Sequence, residues 1–372
     1  MLDLYLKNGK TVDGKNIEVG ILDGKIMALS QHLADISAKK TVDLKGRFLS
    51  AGWIDDHTHC YEKLSLYFDD PDEDGTKTGV TTVIDAGSTG SDNIEDFYKI
   101  TRNKKTNVLA MINISKTGIL AQDELGDISK IQENQLIKAI YDYPDFIVGI
   151  KARESHSVVI NNDVLPLLAA KKIQHKLGGN FPLMVHVGAN PPELRKILNL
   201  MGKNDILTHA YNGKSNGILD DQENIKSFVW EAYRRGVIFD IGHGTDSFNF
   251  KTFSIAIKDG LVPKSISTDI YNRNRNNGPV YDMATTLEKI MLFGFSLSQV
   301  IDMVTKEPAK NFHLITKGRL QLGFDADITV FEIQNKNKVL TDSNGNKRST
   351  DKSIKPVYSI VGGKIYKEGG NN

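Results

Sequence analysis

The 372-residue sequence contains one cysteine, Cys60, so it has no second thiol with which to close an intramolecular disulfide. A chain this poor in thiols must rest on its apolar core and fits a reducing compartment, so a cytoplasmic protein is expected. Excess charge is also missing: 47 Lys and Arg stand against 46 Asp and Glu, a formal net charge of +1. The positive residues are not clustered, and neither nucleic acid nor an anionic membrane is an expected partner. No apolar run approaches the ~20 residues needed to span a bilayer. The opening Met1-Leu2-Asp3-Leu4 lacks the basic region and apolar core of a signal peptide. What is present, 40% hydrophobic and 25% charged residues, is ordinary for a globular protein. The length suits one large domain of roughly 250–300 residues and a smaller one.

Both ends read as short β-segments broken by turns. Asp13-Gly14 and Asp23-Gly24 punctuate the first 50 residues, with Ile17–Leu22 and Lys25–Leu29 flanking the second turn. Near the other end, Ile328–Phe331 and Val357–Val361 are apolar strands, and Lys336–Lys355 reads as an exposed loop or hairpin. The middle alternates short apolar runs with amphipathic segments. The runs are Trp53–Asp56, Thr81–Asp85, Val108–Ile112, Phe146–Ile150, Leu183–Val187, Ile206–Thr208, Val237–Ile241 and Ser265–Thr268. Helical spacing marks Ile131–Tyr141, Val164–Lys176, Ile225–Arg235 and Met283–Phe293. Eight such β/α units predict an α/β fold, a (β/α)8 TIM barrel over 51–315, with an open doubly wound sheet as the alternative. A small split β-sandwich domain would be assembled from 1–50 and 316–372.

Ionisable residues recur at the ends of these runs, where barrel enzymes carry their reactive groups. They are His57 and His59 at the first, Lys151 at the fourth, His186 at the fifth, His209 at the sixth and Asp269 at the eighth. Strand alternation turns His57 and His59 to one face, a pairing that suits zinc, manganese or a similar ion. Asp55 shares that face one layer deeper, placed to orient an imidazole. Cys60 faces away and reads as structural. Taken singly, each residue has a bland explanation: His186 as a packed core histidine, Lys151 as a strand-end lysine, Asp269 as a cap. Their joint occurrence at successive strand ends points to a metal cage.

The stretch Ala51-Gly52-Trp53-Ile54-Asp55-Asp56-His57-Thr58-His59 resembles the strand-one signature of the amidohydrolase superfamily, Pro-Gly-x-Ile-Asp-x-His-x-His, with Ala51 in place of proline. Glu307-Pro308-Ala309-Lys310-Asn311-Phe312 is similar to the family's Asn-Pro-Ala segment. Gly318-x-Leu320-x₂-Gly323-x-Asp325-Ala326-Asp327 is similar to its re-entry into the small domain. The likeness covers nearly the whole chain and is stronger to dihydroorotase-like and deacetylase-like members. It implies two divalent metal ions, zinc foremost. His57, His59 and Asp269 would hold the more buried ion, and His186 and His209 the more exposed one. A CO₂-derived carbamate on Lys151 would bridge the two. The implied chemistry is attack by metal-activated hydroxide on an amide or ester, with Asp269 carrying the proton to the leaving atom.

Substrate selection is less legible. Dihydroorotase-like members carry an arginine where this chain has Tyr61, which argues against that activity. Arg153 is a candidate for pairing with a substrate carboxylate, the alternative being a salt bridge to Glu154 or another rim acid. His243, between two glycines, is a candidate donor to a substrate oxygen, the alternative being a simple turn. Asn190-Pro191-Pro192 and Tyr271-Asn272 are further candidates for the pocket, and basic Arg273–Asn277 reads by default as a solvated loop, though its place beside Asp269 would favour an acidic ligand. The expected partner is a small molecule, with homo-oligomerisation left open. The expected reaction is deacetylation of an acidic N-acyl or O-acyl compound. Cyclic-amide hydrolysis, adenine deamination and a non-catalytic scaffold are the alternatives.

Overall fold

A computed structural model describes residues 1–367. The chain begins with five strands, β1 (Leu2–Lys10), β2 (Asn16–Leu22), β3 (Lys25–Ser30), β4 (Ala38–Asp43) and β5 (Phe48–Ala51). Seven strands follow through the middle: β6 (Trp53–Thr58), β7 (Val80–Ala86), β8 (Asn107–Asn113), β9 (Ile147–Glu154), β10 (Leu183–Val187), β11 (Ile206–Thr208) and β12 (Ile238–Phe239). The last three are β13 (Ile328–Thr341), β14 (Lys347–Val361) and β15 (Lys364–Lys367). Strands β6 to β12 pair in chain order into one parallel sheet, with helices in the crossovers. Helices Glu133–Asp142, Leu165–Lys176, Ser227–Arg235 and Met283–Met291 occupy the segments whose spacing predicts them.

The terminal strands form a separate, mainly antiparallel sheet in the order β15-β14-β13-β5-β1-β2-β3, with β4 on β1. By hydrogen bonding it is one continuous eight-stranded sheet. Lys336–Lys355 is a hairpin rather than a free loop, because β13 and β14 pair out to Thr341 and Lys347. Its side chains explain its order. Leu340 and Ile354 are buried in the larger core, and Glu288 of the helix Met283–Met291 accepts from Lys338 Nζ at 2.8 Å and from Ile354 N at 2.8 Å.

The eighth apolar run departs from expectation. Ser265–Thr268 is not a regular strand, although Ser265 bridges Asp240 and Ile270 bridges Thr58, both in parallel sense. Backbone bonds run from His243 N to Ser267 O (3.0 Å) and from Asp269 N to His57 O (2.7 Å). The segment therefore spans the gap between β12 and β6. It is irregular for a physical reason. Asp269 takes φ 51°, which breaks the ladder, and the hydroxyls of Ser265, Ser267 and Thr268 are committed to buried carboxylates.

Alternation along the parallel strands separates two apolar layers. Trp53 turns outward into the large core beneath the helices. Ile54, Ile84, Met111, Met184, Ile206 and Ile238 form a separate cluster with Ala309 and Phe312. The Pro-Ala segment thus plugs the sheet's concave side. Burying the Phe312 ring alone stabilises by ~1.5–3 kcal/mol. The polar strand ends lie in line beyond this plug.

Candidate functional site

Strand β6 carries His57 near its end, and His59 follows immediately after Thr58. Their imidazole Nε2 atoms lie 3.3 Å and 3.2 Å from Asp269 Oδ1. The ligand-type atoms of His57, His59 and Asp269 all fall within 4.8 Å of one another. His209 Nε2 is 4.0 Å from Asp269 Oδ2. The ring centroids of His57 and His209 are 5.0 Å apart, and those of His186 and His209 are 4.6 Å apart. Lys151 Nζ is 3.1 Å from His57 Nε2 and 3.2 Å from Met184 Sδ. All six strand-end candidates therefore meet in one place.

Backbone conformation helps to aim them. His209 and Asp269 adopt φ 62° and 51°, a left-handed region that His and Asp tolerate better than most residues. The loop Gly242-His243-Gly244 packs directly against both. A Cβ on Gly242 would sit 2.8 Å from His209 N, and one on Gly244 would sit 2.5 Å from Asp269 Oδ2. Glycine is required there by close approach as well as by positive φ.

The second nitrogen of each imidazole decides which atom is free. His209 Nδ1 lies 2.6 Å from Gly242 O. A carbonyl only accepts, so Nδ1 carries the proton and Nε2 keeps its lone pair. His57 Nδ1 meets Thr208 Oγ1 at 2.9 Å, and that hydroxyl already donates to Asp240 Oδ2 at 2.8 Å. His57 must therefore donate from Nδ1, which again leaves the Nε2 lone pair facing Asp269 and Lys151. His59 Nδ1 lies 2.9 Å from Ser88 Oγ. Inward-facing lone pairs held by outer partners are what a metal-binding histidine needs, and the N/O donor set fits zinc or a similar divalent ion.

Electrostatics agree. Burial, followed by the Lys151 charge, holds His57 well below the ordinary histidine range. Burial lowers His186 likewise and brings His209 to about 4. Burial draws Lys151 down to about 7. Burial alone would raise the Asp269 carboxyl, but His59 and the neighbouring positive groups hold it below its ordinary value. The neutral imidazoles of His57, His186 and His209 thus stand near an ionised carboxylate.

A polar cavity of about 190 Å³ opens over this cluster, lined in part by His59, His186, Arg153 and Asp269. Several expectations about its walls need correction. Asp55 orients no imidazole. Its carboxylate accepts from Thr268 Oγ1 (2.5 Å), Thr268 N (3.1 Å) and His57 N (3.3 Å), so it fastens β6 to the Asp269 segment. Asp240 and Ser88 provide the outer support expected of Asp55. His243 does not reach the cavity either: it is fully buried, with Lys289 Nζ 2.8 Å from its Nε2 and Gly244 O 3.0 Å from its Nδ1. Tyr61 turns outward, and its hydroxyl donates to Asp96 at 2.7 Å. Arg275, in the basic loop, is spent on Asp69 at 2.7 Å. Asn190-Pro191-Pro192 and Asn272 are absent from the lining, whereas Tyr271 is present.

Arg153 lies at the cavity, but its Nη1 is 3.0 Å from both oxygens of buried Glu124. The acid that pairs with it is thus Glu124, and the carboxylate oxygens of adjacent Glu154 have no hydrogen-bond partner among the described residues. Tyr67, Gln122, Lys214 and Asp246 also line the cavity and were not legible in the sequence, since each sits in a loop without periodicity. Asp240, an acid inside the apolar run Val237–Ile241, was the one available signal for the outer shell.

Comparison with known proteins accords with this geometry. The family described as Deacetylase-like composite domain matches residues 320–367. A deacetylase of Enterococcus faecalis is 55% identical over 366 residues, covering 98% of this chain and 99% of that protein. A solved structure described as an adenine deaminase superposes with a TM-score of 0.97 at 54% identity, covering 99% of this chain and 100% of the other. Another, described as a dihydroorotase, gives 0.89 at 32% identity, covering 99% and 98%. With this likeness running along almost its whole length, the chain belongs to the amidohydrolase superfamily and is an enzyme of that hydrolytic group.

Proposed function

We propose that the chain is a deacetylase-like hydrolase that cleaves an amide or ester bond in a small acidic molecule. The observation that carries this reading is the convergence of His57, His59 and Asp269 within 4.8 Å at the floor of a polar cavity. His57, His59 and Asp269 would hold one divalent ion, and His186 with His209 a second. Lys151, as a CO₂-derived carbamate, would serve both, and zinc is the ion that this donor set favours. Bound ions of this kind lower the pKa of coordinated water toward ~7 and polarise a carbonyl.

The remaining steps belong to the chain's own residues. The carboxyl of Asp269, held below its ordinary range, is ionised at neutral pH. It is therefore able to take up a proton at a carboxylate oxygen and return it to the departing atom. Lys151, with its amine drawn to about 7, spends much of its time unprotonated, the form that adds CO₂. Thr208 and Asp240 keep His57 in one tautomer, and Gly242 O does the same for His209.

We read Ser265–Ile270 as the eighth stave of a closed (β/α)8 barrel over 51–315, with 1–50 and 316–372 as the split β-sandwich domain. The proposed partner is a small molecule rather than nucleic acid or membrane, and among the described residues no helix is long and apolar enough to cross a bilayer. The lone Cys60 supports a cytoplasmic location. Metal analysis with a panel of acetylated amino and hydroxy acids, assayed with zinc and bicarbonate, tests the reading. Bound metal and release of acetate are expected, and no turnover across the panel overturns it. The relative described as an adenine deaminase, 54% identical, favours purine deamination as the second reading, for which ammonia release from adenine is the test. Ring opening of dihydroorotate would support the cyclic-amide alternative, and metal content near zero the scaffold.

A further inference from the structure

The cavity is lined by two basic side chains, Arg153 and Lys214, and they are not equivalent. Arg153 is already paired: Glu124 meets it with both oxygens at 3.0 Å, and the two side chains are 6% and 0% exposed. Lys214 has no carboxylate within salt-bridge distance among the described residues. It is half-buried on the cavity wall.

Its position is also built rather than incidental. Asn212 is buried and donates from Nδ2 to His209 O at 2.8 Å, while its Oδ1 accepts from Lys214 N at 2.9 Å. Gly217 N closes the turn on Lys214 O at 2.9 Å. One asparagine thus ties the Lys214 backbone to the backbone of His209. Lys214 lines the same cavity as His186 and Asp269.

From this we infer that Lys214 is the residue that selects the substrate, by pairing with a single carboxylate on the molecule whose acyl bond is cleaved. The class so named is the N-acylated or O-acylated carboxylic acids, and the inference rests on the hydrolase reading above. One unpaired cation answers one negative charge. Asp246 on the same lining disfavours a dianion such as a phosphate monoester. Arg153, with its charge answered by Glu124, is left to shape the wall.

The test pairs N-acetylalanine with N-acetylalaninamide, which differ in charge and little in size. The zinc-loaded wild type, Lys214→Met and Lys214→Arg are compared by turnover and by calorimetric binding. Lys214→Met is expected to lose about 10- to 100-fold in kcat/KM on the acid, chiefly through KM, as for loss of one charge-assisted bond. On the amide it should match the wild type within about twofold, and Lys214→Arg should recover most of the loss. Equal effects on acid and amide, or none on either, overturn the inference. Binding separates the two readings: if the wild type prefers the acid, Lys214→Met loses that preference and no compound of the acetylated panel is hydrolysed, the hydrolase reading fails and the Lys214 assignment stands. If the wild type binds neither compound, the assignment fails.

Discussion

Two buried lysines, Lys151 and Lys289, each lie against the Nε2 of a histidine, His57 at 3.1 Å and His243 at 2.8 Å. Burial draws both amines down to about 7. The difference lies in what else surrounds the nitrogen. Lys289 also donates to Pro279 O at 2.7 Å, and its histidine packs on the ring of Phe248 with centroids 5.0 Å apart. The protein itself satisfies that amine. Among the described residues, Lys151 has, besides His57, only the weakly accepting Met184 Sδ. A buried nitrogen short of acceptors is costly, and this one sits in a ring of imidazoles. The pair teaches that burial and a shifted pKa do not by themselves mark a functional lysine; the unmet hydrogen-bonding demand does.

The sharpest way to break this comparison is to make Lys151→Met and Lys289→Met side by side. Activity on the acetylated acids should differ by at least about 100-fold, Lys151→Met being the lower, with its metal content also reduced. Equal losses would mean that the two lysines share one role. Asp269→Asn should lower kcat by about 10²–10⁴ while the fold, followed by circular dichroism, is kept. A fall of less than about tenfold would remove Asp269 as the proton carrier.

A smaller effect concerns Lys289 alone. Its amine titrates at 10.5 in the ordinary state and at about 7 when folded. Between those values the unfolded chain holds a proton that the folded chain has given up, so this contribution to stability is lost as pH falls from 10.5 toward 7. Lys289→Met removes that slope. Thermal melts at about pH 10 and about pH 7 should show the wild type losing stability relative to the variant on acidification. A constant gap across the window would refute the assignment. The smallest effect is expected at the hairpin tip. Ser343 Oγ donates to His243 O at 3.2 Å and to Gly244 O at 2.9 Å, which ties the terminal sheet to the loop behind Asp269. Ser343→Ala should cost ~1 kcal/mol of stability and a few-fold in kcat/KM. An unchanged melting curve and rate would leave the hairpin without influence on the site.

Much of the cage was legible because strand geometry is periodic. His57 and His59 share a face by alternation, and Lys151, His186 and His209 each end an apolar run that burial requires. The walls were not legible. Arg153 and His243 looked alike as pocket candidates, yet one is at the cavity beside Glu124 and the other behind it against Lys289. Asp55 shows the same limit: its register was readable, but its partner, Thr268, lies 213 residues away.

The succession of strands and the ionisable residues at their ends follow from the sequence, because they depend on local periodicity and on burying hydrophobic surface. The tertiary structure decided which charges remain unpaired, which tautomer each histidine keeps and which lysine faces the cavity. Those outcomes depend on contacts between residues far apart in the chain, whose distances no local pattern encodes.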